Sequence, residues 1–124
     1  MRARYRVTFS VVAGCIAVFW LATTICQLAW RLHHPAPLGR TAEAVDAALA
    51  PALPSGTTAD SVLAFLRHAK VPASIDSVGE RRIVALVTDI DADLVTTTDA
   101  QVQFLFDSTW RVRARRTRAV YTGP

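Results

Sequence analysis

The sequence predicts an α+β fold, in which an N-terminal transmembrane helix precedes one or two helices packed on a three- to four-stranded antiparallel sheet. Three patterns in its 124 residues predict this fold. Residues 7–30 carry no charge, apolar residues recur at helical spacing between residues 41 and 69, and apolar and polar residues alternate after Pro72. The predicted parts are a basic cytoplasmic tail (1–6), a transmembrane helix (7–30), a linker (31–40) and a small extracytoplasmic α+β domain (41–124).

The apolar segment 7–30 has 18 apolar residues among its 24. As a helix it would be about 36 Å long, and the hydrocarbon core of a bilayer is about 30 Å thick. Tyr5 and Trp30 stand at its edges, where amphipathic rings favour the headgroup layer. We expect a single-pass protein of the inner membrane. Three arginines precede the segment and one follows it, and the positive-inside rule predicts the orientation from this asymmetry. Its N-terminus would be cytoplasmic and its domain periplasmic or extracellular.

Three other interpretations of this segment are weaker. A cleaved signal peptide has a shorter apolar core and a small-residue cleavage site, which Leu28-Ala29-Trp30 does not provide. Residues 12–15 match the pattern that precedes a lipidated cysteine, but cleavage before Cys15 would leave an apolar segment where a polar tether is expected. A buried helix of a soluble protein would not explain the asymmetry of the flanking charge.

Small residues and cysteines also lie within the apolar segment. Ser10, Gly14 and Ala17 form a small-residue face, which is compatible with close helix packing and hence with a homo-oligomer. Small residues are also common in any membrane-spanning helix. Cys15 and Cys26 are about 16 Å apart along a helix, too far to form a disulfide with each other, and are expected to be inert apolar residues.

Helical and turn signals occupy the first half of the domain. Residues 33–39 contain two prolines and predict an extended stalk, and Thr41–Ala50 predicts a short helix that ends at Pro51. A second helix is expected to begin at Thr57 or Thr58 and to include Lys70 in its last turn. Its expected buried face consists of Val62, Leu63, Phe65, Leu66 and Ala69.

Strand signals occupy the second half. We expect a short edge strand at residues 73–76, a turn at 77–80, a strand at 82–90 and a connection at 91–98. In the next strand Ala100, Val102, Phe104 and Phe106 alternate with polar residues and should face the core. A loop at residues 108–110 should pair Phe106 with Val112 and Asp107 with Arg111.

The last strand, residues 111–121, changes its alternation part-way. Strict alternation would turn Arg116 and Arg118 toward the core, where desolvation of the charge is costly. A β-bulge at Arg115-Arg116 would avoid this and send all five arginines outward. The residues expected to face inward are Val112, Ala114, Thr117, Ala119 and Tyr121.

The basic residues are unevenly distributed, although the chain as a whole has a net charge of +4. Residues 1–34 hold four arginines and no acid, whereas residues 35–124 hold ten basic and ten acidic side chains. Within the domain, residues 108–124 hold only basic charge: Arg111, Arg113, Arg115, Arg116 and Arg118. These five form the candidate surface for an anionic partner, such as an envelope protein or an acidic surface. They would equally serve as a solubilising sheet face.

A resemblance to a known family rests on residues 56–66. Gly56, Thr58 and Val62, followed by Leu66, resemble the G-x-T-x-x-x-V-x-x-x-L pattern of SmpA/OmlA (BamE-like) bacterial envelope domains. Arg67 stands where that pattern has glycine, and a membrane-spanning anchor is not part of it. The ending VYTGP is also similar to that of small membrane-anchored bacterial proteins. The resemblance implies two helices followed by a three-stranded sheet, and an envelope interaction module without catalysis.

Catalytic and metal-binding patterns are weak in this sequence. Asp89, Asp91 and Asp93 resemble the start of a calcium loop, but Leu94 and Ala100 replace the required glycine and glutamate. No nucleophile, cofactor or phosphate-binding motif is recognised, so no catalytic, cofactor-binding or metal residue is assigned. We expect a non-catalytic, membrane-anchored interaction module that contacts membrane lipid through residues 7–30 and does not bind nucleic acid. The alternative is a small-ligand-binding or enzymatic domain that uses the groove between helix and sheet.

Overall fold

The computed structural model describes residues 2–76, 79–93 and 95–123, and the side chains from Thr8 onward. It divides into two units, the helix-containing segment Met1–His33 and the unit His34–Pro124. The fold is α+β, with one long apolar helix, two short helices and a four-stranded antiparallel sheet. The elements are α1 (Arg2–His33), α2 (Ala42–Ala52), α3 (Ala59–His68), β1 (Ala73–Asp76), β2 (Arg82–Ala92), β3 (Thr97–Phe106) and β4 (Val112–Thr122).

Helix α1 contains a section, Thr8–His33, that is long and apolar enough to cross a membrane. Its apolar side chains are exposed, with Phe9 77% and Trp20 69% accessible. The hydroxyls of Thr23 and Thr24 donate to the carbonyls of Phe19 and Trp20 at 2.8 Å, so these polar groups have hydrogen-bond partners within the helix. The segment after α1 differs from the predicted stalk, because residues 36–39 form a turn closed by Gly39 N–H and Ala36 C=O. Leu38 packs against the core.

Helix α2 begins where the sequence predicts, with the Thr41 hydroxyl accepting the N–H of Ala44 at 3.0 Å. It continues beyond the predicted end, because Pro51 lies inside the last turn. The fixed φ of proline suits a helix, so Pro51 costs one donor without ending the helix. The helix ends at Ala52, and the N–H of its C-cap residue, Leu53, donates to the carbonyl of Leu49. Ala42, Val45 and Leu49 form its buried face.

Helix α3 confirms the predicted start and buried face. Thr58 is the N-cap, and Val62 and Leu66 are buried. Leu63, Phe65 and Ala69 pack against the core from partly buried positions. Lys70 is not in the last turn, because it adopts a left-handed conformation with φ 58°. This conformation allows Val71 N–H to reach the carbonyl of Leu66 at 2.8 Å, which closes the helix end.

The sheet has the order β1-β2-β3-β4, so neighbours in sequence are neighbours in space. We call the face that carries Ile83, Ala85, Val102 and Phe104 the inner face, because these residues share one core cluster with Val45, Leu49, Val62 and Leu66. The structure confirms the edge strand predicted at 73–76. It also confirms the predicted buried face of β3, which consists of Ala100, Val102, Phe104 and Phe106. The predicted turn at 77–80 includes Ser77 and Val78, which lie outside the described residues. The connection predicted at 91–98 is shorter, since β2 reaches Ala92 and β3 begins at Thr97.

Strand β4 contains a bulge, but not where the sequence predicts it. Phe106 pairs with Val112 and Leu105 with Ala114, which leaves Arg113 as the extra residue. The ladder is regular at Arg115 and Arg116, which pair with Phe104 and Gln103. The predicted bulge at 115–116 is therefore wrong. Ala114 turns to the outer face and Arg115 turns to the inner face, whereas Thr117 and Ala119 face inward as predicted.

Candidate functional site

The five arginines predicted to form one surface lie in different environments along β4 and just before it. Arg111, Arg113, Arg116 and Arg118 are exposed, whereas the side chain of Arg115 is only 17% accessible. The prediction that all five face outward is therefore wrong for Arg115. The structure brings the other four together on one strand and its entry, with Arg116 and Arg118 on the outer face of the sheet.

Arg115 reaches the inner face because Asp46 of α2 provides a carboxylate there. Arg115 Nε donates to Asp46 Oδ1 at 2.7 Å, and its Nη2 donates to Oδ2 at 3.3 Å. Thr117 Oγ1 donates to the same Oδ1 at 2.7 Å. The hydrogen bond from Arg115, followed by that from Thr117, lowers the pKa of Asp46 below its ordinary value. This cluster ties α2 to β4 and removes Arg115 from the surface that a partner could reach.

Arg111 has a structural contact at the entry to β4. Its Nη1 donates to the carbonyl of Gly56 at 3.1 Å, and its backbone N–H donates to Asp107 Oδ1. Asp107 N–H donates to the carbonyl of Arg111, which confirms the predicted pairing of these two residues. The side-chain hydrogen bond from Thr109, followed by the N–H of Arg111, lowers the pKa of Asp107. The loop from 107 to 111 is thus organised around one carboxylate.

Arg113, Arg116 and Arg118 are the exposed arginines with the least local compensation. Arg118 Nε donates to Oε1 of Gln101, a neutral group on the adjacent strand. In the part of the chain that the structure describes, the side chains of Arg113 and Arg116 have no hydrogen bond or ion pair. Arg82, on the same outer face, is in contrast bound to Asp76 at 2.8 Å. Two full positive charges on β4 are therefore free to bind an anion.

A groove lies between the start of α3 and strand β1, beside the loop that precedes β4. Its volume is about 610 Å³, and its apolar walls include Leu63, Ile75 and Ile83. Trp110 lines the groove, packs against Phe106 at a ring-centroid distance of 5.8 Å and has a left-handed backbone with φ 58°. The Arg81 guanidinium lies 5.5 Å from the centre of the Trp110 ring. Such a groove suits a small apolar group rather than a charged one.

Of the three aspartates that resemble a calcium loop, Asp93 organises the backbone of a turn. Asp93 Oδ1 accepts the N–H groups of Val95 and Thr96 and so holds the turn between β2 and β3. Asp89 has φ 54° and donates its N–H to Asp99 at 2.8 Å. Among the described residues, no three His, Cys, Asp or Glu side chains come together in a group that could hold a metal ion.

The predicted features of the apolar segment all lie on α1. Ser10, Gly14 and Ala17 are exposed on this helix, and nothing lies within 4 Å of a Cβ placed at Gly14. Trp30 is half-buried, while the side chain of Tyr5 lies outside the described residues. Cys15 and Cys26 are free thiols on the helix surface. His33 Nδ1 lies 2.8 Å from the carbonyl of Ala29 within the same helix.

Comparison of the chain with protein-family models, with curated proteins and with solved structures gives no match. Two residues that shape these sites, Asp46 and Trp110, were not identified from the sequence as site residues. Asp46 is the one acid in the interior of an alanine-rich helix, and Trp110 is the only tryptophan outside the N-terminal apolar segment. Both signals are present in the sequence, but only the packing of α2 on β4 gives Asp46 its role.

Proposed function

We propose that this chain is a single-pass, membrane-anchored interaction module without catalytic activity. Helix α1 anchors it in the inner membrane of a bacterial envelope, with the N-terminus in the cytoplasm and the α+β domain on the periplasmic or extracellular side. The domain binds an acidic surface of another envelope protein through exposed arginines of β4. The resemblance to SmpA/OmlA (BamE-like) envelope domains agrees with this proposal.

The observation on which the proposal rests is the state of Arg113 and Arg116. Both are exposed on β4, and neither has an ion pair or hydrogen bond within the described residues. An arginine that already pairs with an acid is attracted only weakly to an acidic partner protein. An arginine without such a pair is attracted more strongly and also speeds association. Arg118 adds a third exposed positive charge on β4, since within the described ranges its side chain hydrogen-bonds to the neutral Gln101. Membrane anchoring is supported by the length and apolar surface of α1.

The alternative function is binding of a small apolar ligand in the groove beside Trp110. The volume of about 610 Å³ and the apolar walls formed by Leu63, Ile75 and Ile83 favour it. The polar groups around this groove, Thr58, Asp60 and Thr109, are few and exposed or half-buried. We therefore place the groove second to the arginine surface.

The test compares two double variants of the full chain in its membrane. Arg113→Gln with Arg116→Gln removes two charges from β4, and Arg67→Gln with Lys70→Gln removes two exposed charges at and just beyond the C-terminal end of α3. In-membrane crosslinking followed by quantitative partner identification should show that the β4 pair lowers recovery of acidic envelope proteins at least fivefold. The matched control pair should leave recovery unchanged, and reporter fusions at the C-terminus should give an extracytoplasmic signal.

Three outcomes contradict the proposal. Equal recovery with both double variants removes the arginines from the function. Equal loss with both variants shows that only the total charge matters. Loss of partner recovery after the groove is filled by Ala59→Trp, with no effect of the β4 pair, favours the groove instead.

A further inference from the structure

The open edge of β4 is defined by hydrogen bonds at its beginning. Strand β4 is the last strand of the sheet, and β3 occupies only one of its sides. Val112 directs its backbone groups to the other side, because its N–H donates to Thr57 and its C=O accepts from Gly56, both at 2.8 Å. Residues 56–58 therefore cover the edge at Val112, and the remainder of β4 extends beyond them.

The register of the sheet identifies which backbone groups lie along the rest of this edge. Residues whose N–H and C=O groups point to the same edge of a strand also share a face. Val112 points to the open edge and faces inward, so after the bulge the inward-facing residues Arg115, Thr117 and Ala119 also point there. The hydrogen bond of Phe106 gives the same result independently, because its N–H donates to Arg81, on the side of β3 that faces β2. The alternate residues of β3 must then direct their backbone groups toward β4. No group in the described ranges pairs with the edge N–H and C=O groups of these three residues.

The charges along the edge select among the partners that could pair with it. An antiparallel second copy centred on Thr117 would set Arg116 of one copy against Arg118 of the other. Like charges directly opposite each other destabilise a strand pair. A partner strand with carboxylates opposite Arg116 and Arg118 would instead be stabilised by charge attraction in the same geometry. The inner face differs, because Asp46 lies there with 41% of its side chain accessible and would repel a further acid.

We propose that the open edge of β4 binds an extended acidic segment of a partner protein by antiparallel strand addition. Arg115, Thr117 and Ala119 provide the backbone hydrogen bonds. The partner places carboxylates on the outer face, opposite Arg116 and Arg118, and neutral side chains on the inner face beside Asp46. This inference rests on the proposed function and adds a binding mode and a sequence pattern, in which acidic and neutral residues alternate.

The test uses the full chain in neutral-detergent micelles and a synthetic eight-residue peptide that alternates threonine and glutamate. Binding is measured by fluorescence anisotropy of the labelled peptide. A control peptide has four glutamates followed by four threonines, with the same composition and charge. We expect the alternating peptide to bind at least tenfold more tightly than the control. The amide protons of Thr117 and Ala119 should exchange more slowly when the peptide is bound, whereas those of Arg116 and Arg118, already bonded to β3, should not change.

Backbone methylation of the peptide separates strand addition from simple charge attraction. N-methylation of the threonines removes the donors that face β4 and should weaken binding at least tenfold, whereas N-methylation of the glutamates should leave binding unchanged. If all these peptides bind equally and binding still depends on Arg113 and Arg116, strand addition is overturned while the proposed function stands. If no peptide binds, strand addition is overturned as well, and the crosslinking experiment decides the proposed function separately.

Discussion

The two faces of the sheet differ in burial and in the compensation of charge, although the same four strands form both. On the inner face, Phe104 is fully buried among residues of α2 and α3, and even a charged group such as Arg115 has a partner there. On the outer face, Gln101 and Gln103 are half-buried, and Arg116 is exposed with no ion pair in the described part of the chain. The inner face therefore holds the core cluster, whereas the outer face, apart from the buried Leu105, and the edge of β4 are available for binding. Three changes to the chain test this contrast.

The largest effect is expected from truncating a residue on the inner face. Phe104→Ala should lower the free energy of unfolding by about 3–5 kcal/mol, because it leaves a cavity in the middle of the core. Gln103→Ala, one residue earlier and on the outer face, is the matched control and should change it by less than about 0.5 kcal/mol. Urea unfolding of both variants, followed by near-ultraviolet circular dichroism, measures the difference. Similar losses for the two variants would mean that the faces are not distinct.

A smaller effect is expected from the Asp46 cluster. Asp46→Asn should lower the free energy of unfolding by about 1–2 kcal/mol at pH 7, since it leaves the Arg115 charge without its carboxylate. The pKa of Asp46 is lowered in the folded state, so its contribution is present above the ordinary carboxyl pKa of about 4. That contribution is lost as the pH falls through the lowered pKa. The gap between wild type and variant should therefore close in acid, and a gap independent of pH would argue against the ion pair.

The smallest effect is expected from deleting Arg113. The bulge consists of this one extra residue, so its deletion joins Val112 to Ala114 in a regular ladder with Phe106 and Leu105. We expect the free energy of unfolding to change by less than about 1 kcal/mol. Nuclear magnetic resonance contacts between Phe104 and Arg115 should persist. Loss of these contacts would show that the bulge is needed to turn Arg115 toward α2.

The sequence predicts the parts of this fold that follow from local periodicity. The buried faces of α3 and β3 follow from the spacing of Val62 and Leu66 and from the alternation of Val102 and Phe104. The side-chain chemistry indicates a threonine cap at Thr57 or Thr58, and the structure shows that Thr58 is the cap.

The bulge position could not be found in the same way. Two positions each turn Val112, Thr117 and Ala119 inward, and they differ only in whether Ala114 or Arg115 faces the helices. Desolvation favours alanine when β4 is considered alone. In the folded domain Arg115 faces inward instead, because the carboxylate of Asp46, 69 residues earlier, compensates its charge. A contact over that distance in sequence leaves no periodic signal in either segment.

The sequential order of the strands has a consequence for how the domain forms. Each strand pairs with the next along the chain, so the sheet can grow through short loops, such as the one that joins Phe106 to Val112. Closing a short loop costs little chain entropy, whereas bringing α2 to β4 closes a loop of 69 residues. The entropic cost of long-range closure therefore falls on contacts between the helical half of the domain and its strands, such as Asp46 with Arg115 over 69 residues and Gly56 with Arg111 over 55 residues.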